Sequence, residues 1–320
     1  MAFHLFHIIT FLMLVVVGTN GAILLPPQVY WKSMLPNTPM PKAITNLLHP
    51  VGYWSEGKAT ATWVDASKYG INVHAVPEDS PFSYKYAATD TQLHYNSNVA
   101  LFFLEKDLYY GKKFNMKFTT SNNNGAKFLP KEVADSIPFS SNKMENILNK
   151  LSIKKGTKEY EIVKNTINEC EEKVIKGEEK LCVTSLESMV DFATSKLGSN
   201  NVEAISTEVE KESNELQEYV IAKGVKKLGD NNKNKQPVVC HTENYPYAVF
   251  YCHKTDKTKV YYVPLEGVVD GNRVKAIVVC HTDTSEWNPK HLAFQVLKVE
   301  PGTVPICHFL PQDHVVWFSK

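Results

Sequence analysis

Residues 238–253 read VVCHTENYPYAVFYCH, two runs rich in β-branched and aromatic residues that each carry a Cys-His dipeptide. The dipeptide returns downstream as Cys280-His281 and Cys307-His308, so four such pairs stand 10, 26 and 25 residues apart. Those intervals suit a chain that comes back to the same region of a sheet through hairpins. On a strand, neighbouring side chains point to opposite faces. Each pair therefore presents sulfur to one side and imidazole to the other. Cys240, Cys252, Cys280 and Cys307 can then pair into two disulfides that staple neighbouring strands. The same staples hold His241, His253, His281 and His308 within reach of one another on the opposite face.

Sulfurs committed to disulfides leave no thiolate for a metal, so such a site is nitrogen-rich. Nitrogen and oxygen donors in tetragonal geometry favour Cu(II). Structural zinc wants Cys-x₂-Cys and His-x₃₋₅-His spacing, which is absent. A plain disulfide scaffold with idle histidines stands as the alternative. A Cys-His hydrolase does not fit, because adjacent residues on a strand face apart and cannot share a proton. The chain also lacks Gly-x-Ser-x-Gly and Gly-x-x-x-x-Gly-Lys, the marks of a serine hydrolase and a nucleotide loop.

Outward from this stretch, Val260–Val263, Val274–Cys280, Phe294–Val299 and Val304–Phe309 also read as strands, and Asp270-Gly271 as a hairpin turn. Upstream the pattern is helical. Met144, Ile147, Leu148 and Leu151 fall on one helix face. Thr184-Ser185-Leu186-Glu187 resembles a capping box opening an apolar face of Leu186, Met189, Val190, Ala193 and Leu197, with Gly198 placed to end it. Cys170 and Cys182 bracket a segment, Glu171–Leu181, that one further bridge would close as a loop. The fold class is α+β: a helical first part followed by an antiparallel β-sheet region stapled by disulfides.

The amino-terminal end reads differently. Ile8–Val17 is an apolar run followed by small residues, the form of a secretory signal peptide over residues 1–22. It is shorter than the roughly 20 residues a membrane span wants. Secretion permits disulfides and implies no membrane attachment once the signal is removed. Residues 23–50 hold Pro26, Pro27, Pro36, Pro39, Pro41 and Pro50, too many for a continuous helix or a central strand. Residues 23–80 thus read as an extended, partly ordered leader, with the folded unit expected to begin near the dense apolar run Val99–Leu104 and Thr119–Gly125 as a loop. Across the whole chain 35 Lys+Arg nearly balance 34 Asp+Glu, leaving +1 and no global field for nucleic acid.

The spacing of the four Cys-His pairs resembles the signature of plant BURP-domain proteins. The resemblance extends to Leu101-Phe102-Phe103, Ile137-Pro138-Phe139-Ser140, the Cys170/Cys182 pair and Val315-Val316-Trp317. Tyr30-Trp31 and Leu35-Pro36-Asn37-Thr38-Pro39 are similar to the family's leader. Pro81-Phe82-Ser83-Tyr84-Lys85-Tyr86 and Thr91-Gln92-Leu93-His94 resemble its dehydration-responsive branch, whose long repeat region is absent apart from Gly70-Ile71-Asn72-Val73-His74. This gives a division into signal peptide 1–22, leader 23–97 and BURP domain 98–320.

The resemblance implies a copper centre held by His241, His253, His281 and His308, which would also be the catalytic residues, with disulfides as staples. His94, His291 and His314 are the residues available to complete a coordination shell. Some family members are autocatalytic peptide cyclases in which dioxygen drives crosslinking of a core peptide in the same chain. Others are secreted cell-wall, seed or stress-associated proteins. The implied partners are the chain's own leader, dioxygen and cell-wall components, and the implied location is extracellular, wall or vacuole. A core of the form Gln-Pro-x-Gly with Trp four residues beyond is absent; His49-Pro50-Val51-Gly52-Tyr53-Trp54 comes nearest. Tyr53, Tyr69, Tyr84 and Tyr86 are the tyrosines open to crosslinking.

Overall fold

A computed structural model describes residues 27–49, 102–118, 126–174, 176–212, 215–229 and 236–320. The signal peptide, the leader beyond residue 49, His94, the loop 119–125 and the boundary at residue 98 lie outside the described residues.

Thirteen strands are described: β1 (Phe103–Leu104), β2 (Lys113–Met116), β3 (Glu178–Val183), β4 (Val202–Ile205), β5 (Glu208–Val209), β6 (Gln217–Ile221), β7 (Lys226–Leu228), β8 (Val238–Thr242), β9 (Phe250–Thr255), β10 (Thr258–Gly267), β11 (Arg273–His281), β12 (Ile306–Phe309) and β13 (Val315–Ser319). They form two antiparallel sheets. One runs β3-β9-β8-β13-β4; the other runs β1-β12-β11-β10-β6-β2, with β5 on β11 and β7 on β10. The α+β class stands, and the expected strand-rich carboxyl half supplies the centres of both sheets. Their edges come from β1 to β7, earlier in the chain.

Period-two alternation decides which side chains go where. Along β11, Val274, Ala276, Val278 and Cys280 face one core, while Ile277 and Val279 face another. That second core lies between the sheets, where Ile277 and Val279 meet Val239 of β8 and Val316 and Phe318 of β13. The outer face of the five-stranded sheet packs Val238, Cys240, Cys252 and Trp317 against the helix Leu186–Leu197. The longer sheet curls on itself, bringing Phe103 of β1 within 4.9 Å of Phe114 of β2, ring to ring.

The helix Leu186–Leu197 follows its sequence pattern, with one shift of frame. Ser185 is the N-cap and its box partner is Ser188, one residue later than Thr184 and Glu187 suggest. Gly198 closes it at φ 65°, a left-handed position that a Cβ would strain. The helix Met144–Leu151 is also as expected. The segment Glu171–Leu181 is more ordered than a loop, since β3 begins at Glu178.

Two expectations are corrected. Phe294–Val299 is not a strand: Leu292–Leu297 is a helix whose N-cap, His291, accepts a hydrogen bond on Nδ1 from the Ala293 N–H at 3.1 Å. The folded unit does not begin only near Val99 either. Pro27–Met34 and Lys42–Thr45 are short helices, and Trp31, Leu35, Ala43, Ile44 and Leu47 join the core over the five-stranded sheet. Pro27 occupies the first helical position and Pro41 the N-cap, where a missing N–H costs nothing.

Candidate metal centre

Strand register turns the Cys-His pairs into a layer. Cys240 stands opposite Cys252 across β8 and β9, and Cys280 opposite Cys307 across β11 and β12. Both pairs are disulfides, each with Cα atoms 4.0 Å apart, and Cys170–Cys182 is the third. No cysteine is free. The first pair of sulfurs sits in the core under the helix Leu186–Leu197, the second in the core of the curled sheet. The neighbouring imidazoles must point the other way, into the space between the sheets. There they extend the apolar column of Val239 and Val279.

His241, His253, His281 and His308 are all buried. His241 Nε2 lies 3.2 Å from His253 Nε2, and His241 Nδ1 lies 2.9 Å from His314 Nδ1. His281 and His308 stack with ring centroids 5.6 Å apart, and His308 stands 6.3 Å from His241. The structure thus brings all four Cys-His imidazoles together, two from each sheet, and adds His314. They stand as two pairs: among the described residues no three His, Cys, Asp or Glu side chains converge on one metal-sized point. His291 lies beside them, 5.7 Å from Phe102 and 4.6 Å from Trp287, with its Nδ1 engaged as the helix cap.

Burial shapes the chemistry of these rings. It pushes His241 and His281 well below the ordinary value of 6.5, helped by repulsion from neighbouring histidines. It lowers His308 and His291 to about 4 and His314 to about 3. Neutral imidazole is the form that offers a lone pair to a metal. Spacing agrees with the chemistry. Two nitrogens bound to one ion at about 2.0–2.1 Å, with an angle near 100°, stand about 3.2 Å apart. That is also the distance of a hydrogen bond between neutral rings, so the pair is shaped for either state. The donor set fits copper: borderline nitrogen ligands, buried, and mounted on strands stapled from behind.

The layer opens on one side into a cleft of about 370 Å³. Its walls include His253, His281, His291, Tyr251, Trp287 and Glu178. Trp287 stands edge-on to His281 at 4.9 Å. Phe102, the first described residue after the leader gap, has its ring 6.1 Å from His308. Glu178 and Trp287 carry no local signal that marks them for this site; the pairing of β3 with β9 and the turn after β11 bring them there, whereas Tyr251 shares the face of His253 two residues along β9 and Phe102 immediately precedes β1.

The chain is 56% identical over 252 residues to BURP domain protein RD22 of Arabidopsis thaliana, covering 78% of this chain and 63% of that protein. It is 55% identical over 238 residues to BURP domain-containing protein 3 of rice, Oryza sativa subsp. japonica, covering 74% and 55%. Against BURP domain-containing protein 5 of the same species the identity is 43% over 306 residues, covering 95% and 89%. The chain therefore spans about three-fifths of the length of the first two relatives. The BURP domain model matches residues 101–319, a stretch that holds all six cysteines and all four Cys-His histidines, and the chain belongs to the BURP-domain family.

Proposed function

We propose that this is a secreted protein that binds copper through His241, His253, His281 and His308 and crosslinks side chains of its own leader by oxidation. The observation that carries the reading is the layer of buried imidazoles, with His241 and His253 nitrogens at 3.2 Å, opening onto a cleft. When bound, copper would supply one-electron steps between a side chain and dioxygen. The rest falls to the chain. The disulfides Cys240–Cys252 and Cys280–Cys307 fix the imidazoles, and the apolar column beneath excludes water. Tyr251 and Trp287 give the cleft aromatic walls suited to a flat side chain. Phe102 ties the start of the domain to the centre, so a leader substrate is held near it by the chain and needs no separate encounter.

Secretion is supported by three disulfides, which persist in oxidising compartments. No helix among the described residues is long and apolar enough to cross a membrane. A second reading, a wall or stress-associated scaffold without turnover, is favoured by the missing Gln-Pro-x-Gly core.

Intact mass separates the two. Each crosslink removes two hydrogens from the protein, as two protons and two electrons, and passes them to dioxygen as hydrogen peroxide. Full-length protein incubated with Cu(II) in air is expected to lose about 2 Da per crosslink, located by proteolysis to residues 23–97. Bound copper with unchanged mass would leave the scaffold reading in place of the enzyme.

A further inference from the structure

A buried carboxylate stands at one end of the imidazole layer. β3 is an edge strand, and it pairs with β9 so that Glu178 faces Thr255, Lys180 faces His253 and Cys182 faces Tyr251. Alternation places Glu178 on the same face as Tyr251 and His253. Its carboxylate is buried, with a side-chain exposure of 8%, and its Oε1 lies 2.9 Å from His253 Nδ1 and 3.2 Å from the Tyr251 hydroxyl. An ionised carboxylate only accepts hydrogen bonds. His253 Nδ1 must therefore carry the proton, and Tyr251 must donate its hydroxyl.

The consequence passes along the layer. Where His253 holds only the Nδ1 proton, its Nε2 turns a lone pair toward His241. At 3.2 Å the His241 Nε2 must donate to it. A neutral His241 then carries its lone pair on Nδ1 and accepts from His314 Nδ1 at 2.9 Å. One carboxylate thus orients the protons of three rings. Without it, His253 is free to hold its proton on Nε2, and the lone pair turns away from the layer.

We propose that Glu178 is the positioning residue of the centre: through Nδ1 it fixes the tautomer and plane of His253, presenting Nε2 as a ready ligand. The proposal deepens the copper reading and rests on it for its metal-binding consequence. Its structural part stands on the metal-free protein alone. Outer carboxylates that orient ligating histidines change metal affinity by about 10–100-fold when removed.

The test compares full-length wild type with Glu178→Ala, Glu178→Gln and the control Glu179→Ala. Glu179 lies on the opposite face of β3 and pairs with Lys196. Two measurements are made. The first is the ¹⁵N chemical shifts of the His253 ring in metal-free protein; the second is the Cu(II) dissociation constant by titration. Wild type and Glu178→Gln, whose amide oxygen still accepts, are expected to show the proton on Nδ1. Glu178→Ala is expected to lose that preference and bind Cu(II) about 10–100-fold more weakly, with Glu179→Ala unchanged. Should Glu178→Ala fail to fold, Glu178→Met fills similar volume without a carboxylate oxygen and is held to the same result. A wild-type tautomer in the Ala or Met variant overturns the positioning role. A changed tautomer with wild-type copper affinity overturns its bearing on the metal. Absence of copper binding by wild type itself defeats the copper reading, while the shifts still decide the tautomer.

Discussion

Lowering the pH of the metal-free protein from 7 to 5 is expected to lower its melting temperature by on the order of 10 °C. His291 and His308 are held near pKa 4 by burial, against an ordinary 6.5 when the chain is unfolded. Between those values the unfolded chain takes up protons that the folded chain refuses. Stability is therefore complete above about pH 6.5, falls as the pH drops through that window, and stops falling below the folded value near 4. Each of these two residues removes roughly 2 kcal/mol by pH 5. His241, His281 and His314 act in the same direction.

Glu187 and Glu243 act oppositely, because burial raises their carboxyls and the folded state gains protons first. The depressed carboxylates Glu105, Glu171, Glu179 and Asp283 lose their partners only below the ordinary carboxylate range. The window from pH 7 to 5 thus separates the histidines from the depressed carboxylates, while Glu187 and Glu243 offset part of the fall. His308→Gln should flatten part of the curve. A melting temperature unchanged between pH 7 and 5 would contradict a dry, neutral imidazole layer.

The second large effect belongs to the leader. Trp31→Ala is expected to cost about 3–5 kcal/mol in urea unfolding, the loss typical of a large ring removed from a packed core. Trp31 is 2% exposed and its ring lies 5.3 Å from Trp317 of β13. Its Nε1 donates to the Thr38 carbonyl at 2.9 Å, so the substitution also leaves that carbonyl unanswered. Around it, Thr38 Oγ1 donates to the Val202 carbonyl, and the Phe128 N–H donates to the Leu47 carbonyl. A cost under about 1 kcal/mol, within the range of ordinary surface substitutions, would show that residues 27–49 do not belong to the core.

What could be read from the sequence follows from the range of each signal. The Cys-His pairs are legible because strand alternation is local: it fixes sulfur and imidazole on opposite faces before any partner is known. The helix Leu186–Leu197 is legible from its 3.6-residue period and its cap. The helix Leu292–Leu297 is not, because Phe294, Val296 and Val299 give the stretch an aromatic and β-branched character and its N-cap is a histidine, outside the usual Ser, Thr, Asp and Asn. Residues 27–49 are hard to read because their prolines sit at helix starts, where they are tolerated. Glu178 reaches His253 from 75 residues away through the β3–β9 register, and no local pattern records such a pairing.

Copper retained after equilibration with Cu(II) and desalting tests the central claim most directly. Wild type is compared with His241→Ala/His281→Ala, which removes one imidazole from each sheet and leaves every disulfide intact. A second comparison, Cys280→Ala/Cys307→Ala, removes a staple and is expected to cost about 2–5 kcal/mol of stability while keeping all four imidazoles. The account predicts copper in wild type, most of it lost from the histidine variant, and a melting temperature in that variant closer to wild type than that of the cysteine variant. A histidine variant that keeps the full wild-type copper would contradict it.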